Sequence, residues 1–313
     1  MALILQQVVT ALTVGAIYAL IALGYTMVYG VLRLINFAHS EMFTAGAFVA
    51  VFAAGLLGGV AGHPGVAVLA GLITFVVIGL LGVTVEAVAY RPLRGTYRLA
   101  PMLSALGMAV IIQNAVMLVG GRRPLTYPSF LPRGVLNVAD AIITYKQVTI
   151  LVVALALMVG LELVVNRTTL GARIRAVAES TETASLVGIN PNLPIALIFF
   201  VGPGLGAVAG ILYASYYGVA TFSMGFIIGM KAFTAAILGG IGSIPGAVLG
   251  GLLLGAIETF ATAWVPVISF GVIGTEYRDI FAFTVLVLIL LIRPAGLLGE
   301  HVSEESMVYK RDF

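Results

Sequence analysis

The chain has 313 residues, 61% of them hydrophobic and only 9% charged, with 16 Lys and Arg against 13 Asp and Glu. Soluble proteins are about one-quarter charged, so a globule of this length could not cover its surface with so few ionic side chains. An ordinary soluble enzyme, a nucleic-acid-binding module and a disordered chain are excluded, and the chain reads as an integral membrane protein. Its net charge of +3 belongs to the orientation of membrane loops, with no nucleic-acid partner implied. Cysteine is absent, which removes disulfides and Cys metal sites. The first residues lack a basic n-region and read as the start of the first span.

Stretches without Asp, Glu, Lys or Arg cover 1–32, 42–85, 99–121, 147–161, 183–230, 232–257, 259–275 and 280–292. A membrane helix needs about 20 apolar residues, so 42–85 and 183–230 are each too long for one span. Gly58-Gly59-Val60-Ala61-Gly62-His63-Pro64-Gly65 divides the first, and Asn190-Pro191-Asn192 opens the second with a polar segment. The pattern predicts helices near 7–31, 40–58, 65–90, 100–120, 147–166, 193–217, 226–238, 246–263 and 280–293. This is an all-α polytopic bundle with eight or nine membrane helices, and no alternating β-barrel pattern competes with it. One transmembrane domain over 1–313 is expected, with a cytoplasmic segment at 166–192 and a short tail from 294.

Arg91, Arg94 and Arg98 share a side with Arg167, Arg173 and Arg175, because two spans separate the loops. Arg122, Arg123, Arg133 and Lys146 fall on the other side, and the richer face is assigned to the cytoplasm. Gly202, Gly206 and Gly210 form one four-residue row, and Gly242, Gly246 and Gly250 another, with Gly251 and Gly255 beside it. Such rows let helix backbones approach closely, either inside the bundle or across a homodimer face.

Motifs for bond chemistry are missing. No Gly-x-x-x-x-Gly-Lys-Ser/Thr loop can hold ATP, no His-Glu-x-x-His can hold zinc, and His39, His63 and His301 are far apart. No Gly-x-Ser-x-Gly elbow offers a nucleophile. The candidates are therefore polar residues in apolar surroundings. Asn36, His39 and Glu41 interrupt the first apolar region, as a polar turn in which Asn36 or Ser40 caps the next helix or as the lining of a cavity. Gln113 and Asn114 lie within a span, facing the pore or bridging helices. Lys231 stands alone in the 183–257 region and Glu258 closes it, so each is a pathway candidate or a structural charge satisfied locally. Tyr213, Tyr216 and Tyr217 fit an aromatic belt.

Residues 170–190 have another character. Leu170, Ile174, Val177, Ala178 and Ala184 share a helical face, while Arg173, Arg175, Glu179 and Glu182 lie elsewhere. Gly188 and Asn190 suit a helix end and Pro191 stops it. A short amphipathic cytoplasmic helix results, docking into a partner's groove or lying on its own bundle or lipid.

At this point the chain resembles the permease subunits of branched-chain amino-acid ABC importers, of the LivH type. The resemblance rests on Gly24-Tyr25-Thr26-Met27-Val28-Tyr29-Gly30 with Ile35-Asn36-Phe37-Ala38-His39, on Ala89-Tyr90-Arg91-Pro92, and on Ala184-Ser185-Leu186-Val187-Gly188-Ile189-Asn190. It continues through the glycine-rich run from Gly229 to Gly246 and through Glu276-Tyr277-Arg278-Asp279. Ser40 departs from the glycine usual after the histidine, and Ser180-Thr181-Glu182-Thr183 departs within the coupling segment. The resemblance implies a non-enzymatic transport subunit with no cofactor or metal of its own, residing in a bacterial inner membrane. Its implied partners are two ABC ATPase subunits carrying ATP and Mg, a second permease forming a heterodimer, membrane lipid, and a periplasmic or lipid-anchored amino-acid-binding protein. On the same likeness, Arg173, Arg175, Glu179, Glu182 and Gly188 belong to the ATPase-coupling helix. Two other readings stand beside it: an ABC permease for urea, amides or sugars, and an ion-coupled secondary transporter using a midplane carboxylate such as Glu41 or Glu258.

Overall fold

A computed structural model of the chain describes residues 2–58, 64–97, 99–138, 141–272 and 274–299. Arg98, His63, His301 and the tail beyond 299 lie outside the described residues.

The helices are α1 (Ala2–Leu32), α2 (Ala38–Leu56), α3 (Pro64–Val85), α4 (Leu99–Gly120), α5 (Tyr145–Arg167), α6 (Thr169–Glu179) and α7 (Thr181–Leu186). They continue with α8 (Asn192–Tyr217), α9 (Met224–Gly239), α10 (Ile244–Ile268) and α11 (Arg278–Ile292). Among the described residues, seven helices are long and apolar enough to cross a membrane, and α9 and α11 are shorter apolar helices. The eight or nine expected from hydropathy thus become seven full-length spans and two short pieces.

Local chemistry sets several boundaries. Thr144 and Gln147 form a reciprocal capping box that starts α5. Ser243 Oγ accepts from Gly246 N at 3.2 Å and starts α10, with Pro245 in its first turn. Gly218 ends α8 in the left-handed region with φ of 75°.

Burial sorts the helices. In the most apolar window of each, 78% of α1 and 72% of α2 and α8 is buried, against 17% of α4 and 28% of α5. The core is therefore α1, α2 and α8, and α4 and α5 line the periphery. Helices associate in lipid through small residues that bring backbones together. Gly202 of α8 sits on the backbone of Gly24 in α1, and Gly210 sits on the backbone of Phe43 in α2. Gly246 and Gly250 pack α10 onto α9 at Gly239 and Ala235, while Gly251 and Gly255 pack α10 onto α1 at Ala19 and Gly15. Gly242 differs from its row. It has φ of 100° with nothing near its missing side chain, so it shapes the α9–α10 turn, and its backbone lies beside Gly30 of α1.

Two small antiparallel pairings were not anticipated by an all-α reading. β1 (Leu125–Thr126) pairs with β4 (Val219–Ala220), and β2 (Val135–Val138) pairs with β3 (Ala141–Thr144). Both use the α4–α5 loop, whose β-branched residues suit extended backbone. Tyr127 N donates to Gly218 O at 2.9 Å and Lys146 Nζ to Ser215 O at 3.2 Å, so this end of the bundle is closed by polar crosslinks.

The opposite end gathers the α1–α2 turn, the 91–97 loop, α6, α7 and the α9–α10 turn. A cavity of about 110 Å³ there is lined by Gly30, Val165, Ile174, Arg175 and Gly242, among others. Counting described residues, seven basic side chains lie toward this end (Arg33, Arg91, Arg94, Arg167, Arg173, Arg175 and Arg293). Four belong to the other (Arg122, Arg123, Arg133 and Lys146).

Candidate functional site

Three polar constellations interrupt this apolar bundle. The first follows from the kink between α1 and α2. The Asn36 side chain accepts from Ala38 N at 3.1 Å and from the Tyr90 hydroxyl at 3.2 Å, so it both caps α2 and ties it to the end of α3. His39 is fully buried and donates from Nε2 to the Ile21 carbonyl at 3.1 Å. Its ring meets Tyr25 edge-on at 4.7 Å. Gly24 makes this possible, because a Cβ there would sit 2.1 Å from the imidazole. Asn36 and His39 are therefore held by protein groups at the helix crossing. Glu41, 2% exposed, faces the first turn of α9, and its Oε2 has no hydrogen-bond partner among the described residues.

The second constellation joins residues remote in sequence. Lys231, near the middle of α9, donates to Glu258 Oε1 at 2.7 Å and lies 2.8 Å from Asp279 Oδ1. The Tyr18 hydroxyl donates to Glu258 Oε2 at 2.7 Å. Lys231 and Glu258 are 5% and 6% exposed. A lone charge at membrane depth is costly, and carboxylate partners with a phenol remove most of that cost. Lys231 is thus a charge satisfied by carboxylates remote in sequence. It pins α9 to α10 and α11, while Tyr18 adds α1. Sequence reasoning missed Tyr18 and gave Asp279 no role, although the Glu276-Tyr277-Arg278-Asp279 motif contains it.

The third lies at the basic end. Glu86 is fully buried in a π-helical turn, Glu86–Tyr90, that ends α3. It pairs with Arg91 at 2.9 Å and with Arg94, and Arg94 Nη1 donates to Asn192 Oδ1 at 2.7 Å. Asn192 is the first residue of α8 and the last of the 166–192 segment. Movement of that segment therefore has a polar link to α3. No sequence signal marked Glu86, because it reads simply as the end of an apolar stretch.

The expected single helix over 170–190 is two helices. Ser180 adopts an extended backbone (φ −155°, ψ 115°), and its Oγ accepts from Thr183 N at 3.1 Å to start α7. Serine competes for backbone bonds in this way and breaks helices where it caps the next one. Val177 and Ala184 are buried on the bundle, while Arg173, Glu179 and Glu182 are exposed. Arg175 donates from its guanidinium to the Val165 carbonyl, anchoring α6 to α5. Gly188, with φ of 83°, turns the chain toward α8. Leu186 and Val187, 84% and 70% exposed, form an apolar tip that sequence reading left unremarked. Gln113 is half-buried on peripheral α4 and joins none of these groups. Tyr127, in the loop at the far end, donates to Ala47 O at 2.9 Å, and burial pushes its phenol up, so it stays protonated.

The bundle thus combines glycine-packed helices, charge pairs that join helices, and short amphipathic helices at one end. This is the architecture of a multi-pass membrane permease. Residues 7–290 match the model of the family described as branched-chain amino acid transport system / permease component, and the chain belongs to that family. It is 46% identical over 307 residues to the high-affinity branched-chain amino acid transport system permease protein BraD of Pseudomonas aeruginosa, covering 96% of this chain and 97% of the relative. It is 43% identical over 308 residues to the corresponding permease protein LivH of Escherichia coli K12, with coverage of 96% and 97%. A probable LivH permease of Methanocaldococcus jannaschii is 23% identical over 300 residues. No solved structure matches the chain.

Proposed function

We propose that this chain is a translocating subunit of an ATP-driven importer for branched-chain amino acids in a bacterial inner membrane. The observation that carries the reading is the near-complete match, over 96% of the chain, to permease proteins of high-affinity branched-chain amino acid transport systems. A second permease completes the pathway, ABC ATPase subunits bind ATP and Mg at the cytoplasmic face, and an amino-acid-binding protein delivers substrate outside. The basic end of the bundle is the cytoplasmic one, and α6 with α7 is the coupling segment.

Its geometry suits that role. Arg173, Glu179, Glu182, Leu186 and Val187 are presented outward, an apolar tip rimmed by charge of both signs. Displacement of α6 or α7 acts on α5 through Arg175 and on α3 through Asn192, Arg94 and Glu86. Rocking of helix groups then exposes the pathway alternately to each side, with Lys231 and Glu258 keeping α9 and α10 together. His39 stands where α1, α2 and α8 meet, with Asn36 beside the end of α3 and Glu41 against α9, next to the pathway.

The test is reconstitution of the chain with a partner permease, ATPases and binding protein in proteoliposomes. ATP-dependent leucine uptake is expected. Gradient-driven uptake by the chain alone, without ATPase subunits, would overturn the reading.

A further inference from the structure

Three carboxylates are buried among the described residues: Glu41, Glu86 and Glu258. Glu86 and Glu258 are ion-paired, whereas Glu41 Oε2 has no hydrogen-bond partner. One helical turn along α2, the fully buried Thr44 hydroxyl is also without a partner. Both atoms point at one place. An ideal Cβ built on Gly225 in the first turn of α9 would lie 2.4 Å from Thr44 Oγ1 and 3.1 Å from Glu41 Oε2. The α9 N-terminus carries no side-chain cap of the kind Ser or Thr supplies at α5 and α10, although Met224 N donates to Thr221 O at 3.2 Å. A buried polar atom left unmade costs free energy that a ligand can recover.

We propose that Glu41 and Thr44, facing the first turn of α9, form a subsite for the α-ammonium group of the amino acid in transit. A carboxylate and a hydroxyl oxygen accept hydrogen bonds, and an ammonium group offers three donors. The positive end of α9 is the complementary partner for the α-carboxylate. The subsite therefore reads the zwitterionic backbone common to amino acids and leaves side-chain choice elsewhere. This inference rests on the reading of the chain as an amino-acid permease.

The subsite is closed in this conformation, and the anchoring of α9 shows how it opens. At its C-terminal end, Leu238 O and Gly239 O accept from Leu297 N and Leu298 N at 3.0 and 2.8 Å. Its middle is held by Lys231. Toward its start, α9 packs Gly225 and Gly229 against Ser40, Glu41 and Thr44 of α2. Pivoting about the anchored end separates α9 from α2 at Glu41.

The native chain has no cysteine, so Thr44→Cys introduces a single thiol. In the assembled importer turning over ATP, a small cationic methanethiosulfonate should label this thiol. Leucine should slow labelling, and isocaproate, which keeps the side chain but lacks the ammonium, should not. Glu41→Gln should lower leucine uptake by about tenfold or more, with partial recovery in Glu41→Asp. No labelling in any state, equal protection by isocaproate, or wild-type uptake by Glu41→Gln overturns the subsite. If Glu41→Gln does not assemble, the labelling of Thr44→Cys decides alone. Failure of the wild-type complex to import leucine overturns the functional reading instead, so the two failures are distinguishable.

Discussion

Gly24 and His39 show how a single side-chain volume can be dictated by a partner elsewhere in the chain. The imidazole occupies the space above Gly24, and Gly202 approaches the same backbone from α8. Gly24→Ala is expected to destabilise by about 1–3 kcal/mol through overpacking, and Gly24→Ala with His39→Ala to recover part of that loss. Thermal unfolding of the purified protein checks both. Lys231 makes a different case, since its partners are carboxylates. Lys231→Met leaves Glu258 and Asp279 without their cation and should cost about 3–5 kcal/mol, more than Lys231→Met combined with Glu258→Gln. The same melting assay separates the two. Sequence marked Lys231 and Glu258 as exceptional because charge is scarce, but 26 intervening residues concealed that they touch. Tyr18 was invisible, because a tyrosine in an apolar run carries no sign of what its hydroxyl meets.

The α6–α7 pair explains why periodicity found an amphipathic segment between α5 and α8 but not its break. Val177 and Ala184 keep one buried face across both helices, so the pattern reads as continuous. The break comes from Ser180, whose hydroxyl satisfies Thr183 N in place of helical continuation. Arg173→Glu with Glu179→Arg reverses the exposed charges without touching buried positions, and is expected to abolish substrate stimulation of ATPase activity while the bundle stays folded. Leu186→Asp with Val187→Asp should remove copurification of the ATPase subunits, because charge on an apolar contact tip opposes its desolvation. Both variants are read in the reconstituted complex by ATP hydrolysis and by subunit recovery.

The distribution of charge over the assembled bundle predicts its orientation. Among the described residues, seven basic side chains gather at the end that carries α6 and α7, against four at the end closed by the β1–β4 pairing. Single cysteines at Thr181 and Thr126 should therefore react with a membrane-impermeant thiol reagent from opposite sides, Thr181 from the cytoplasm. Labelling of Thr126→Cys only in inverted vesicles would reverse the topology and detach α6 and α7 from the ATPases.

Composition and hydropathy were enough to place the chain in a membrane, locate its helices to within a few residues and expose the amphipathic segment between α5 and α8. These are local properties: partition into lipid and helical periodicity are written in neighbouring side chains. Which helices form the core, which glycine faces which backbone, and which buried charge finds a partner depend on contacts between residues up to 240 positions apart, as in Tyr18 and Glu258. Every apolar span is equally welcome in lipid, so hydropathy cannot rank them. Only steric fit between small residues and the need to satisfy each polar group at membrane depth place α1, α2 and α8 at the centre and set Glu41 against α9.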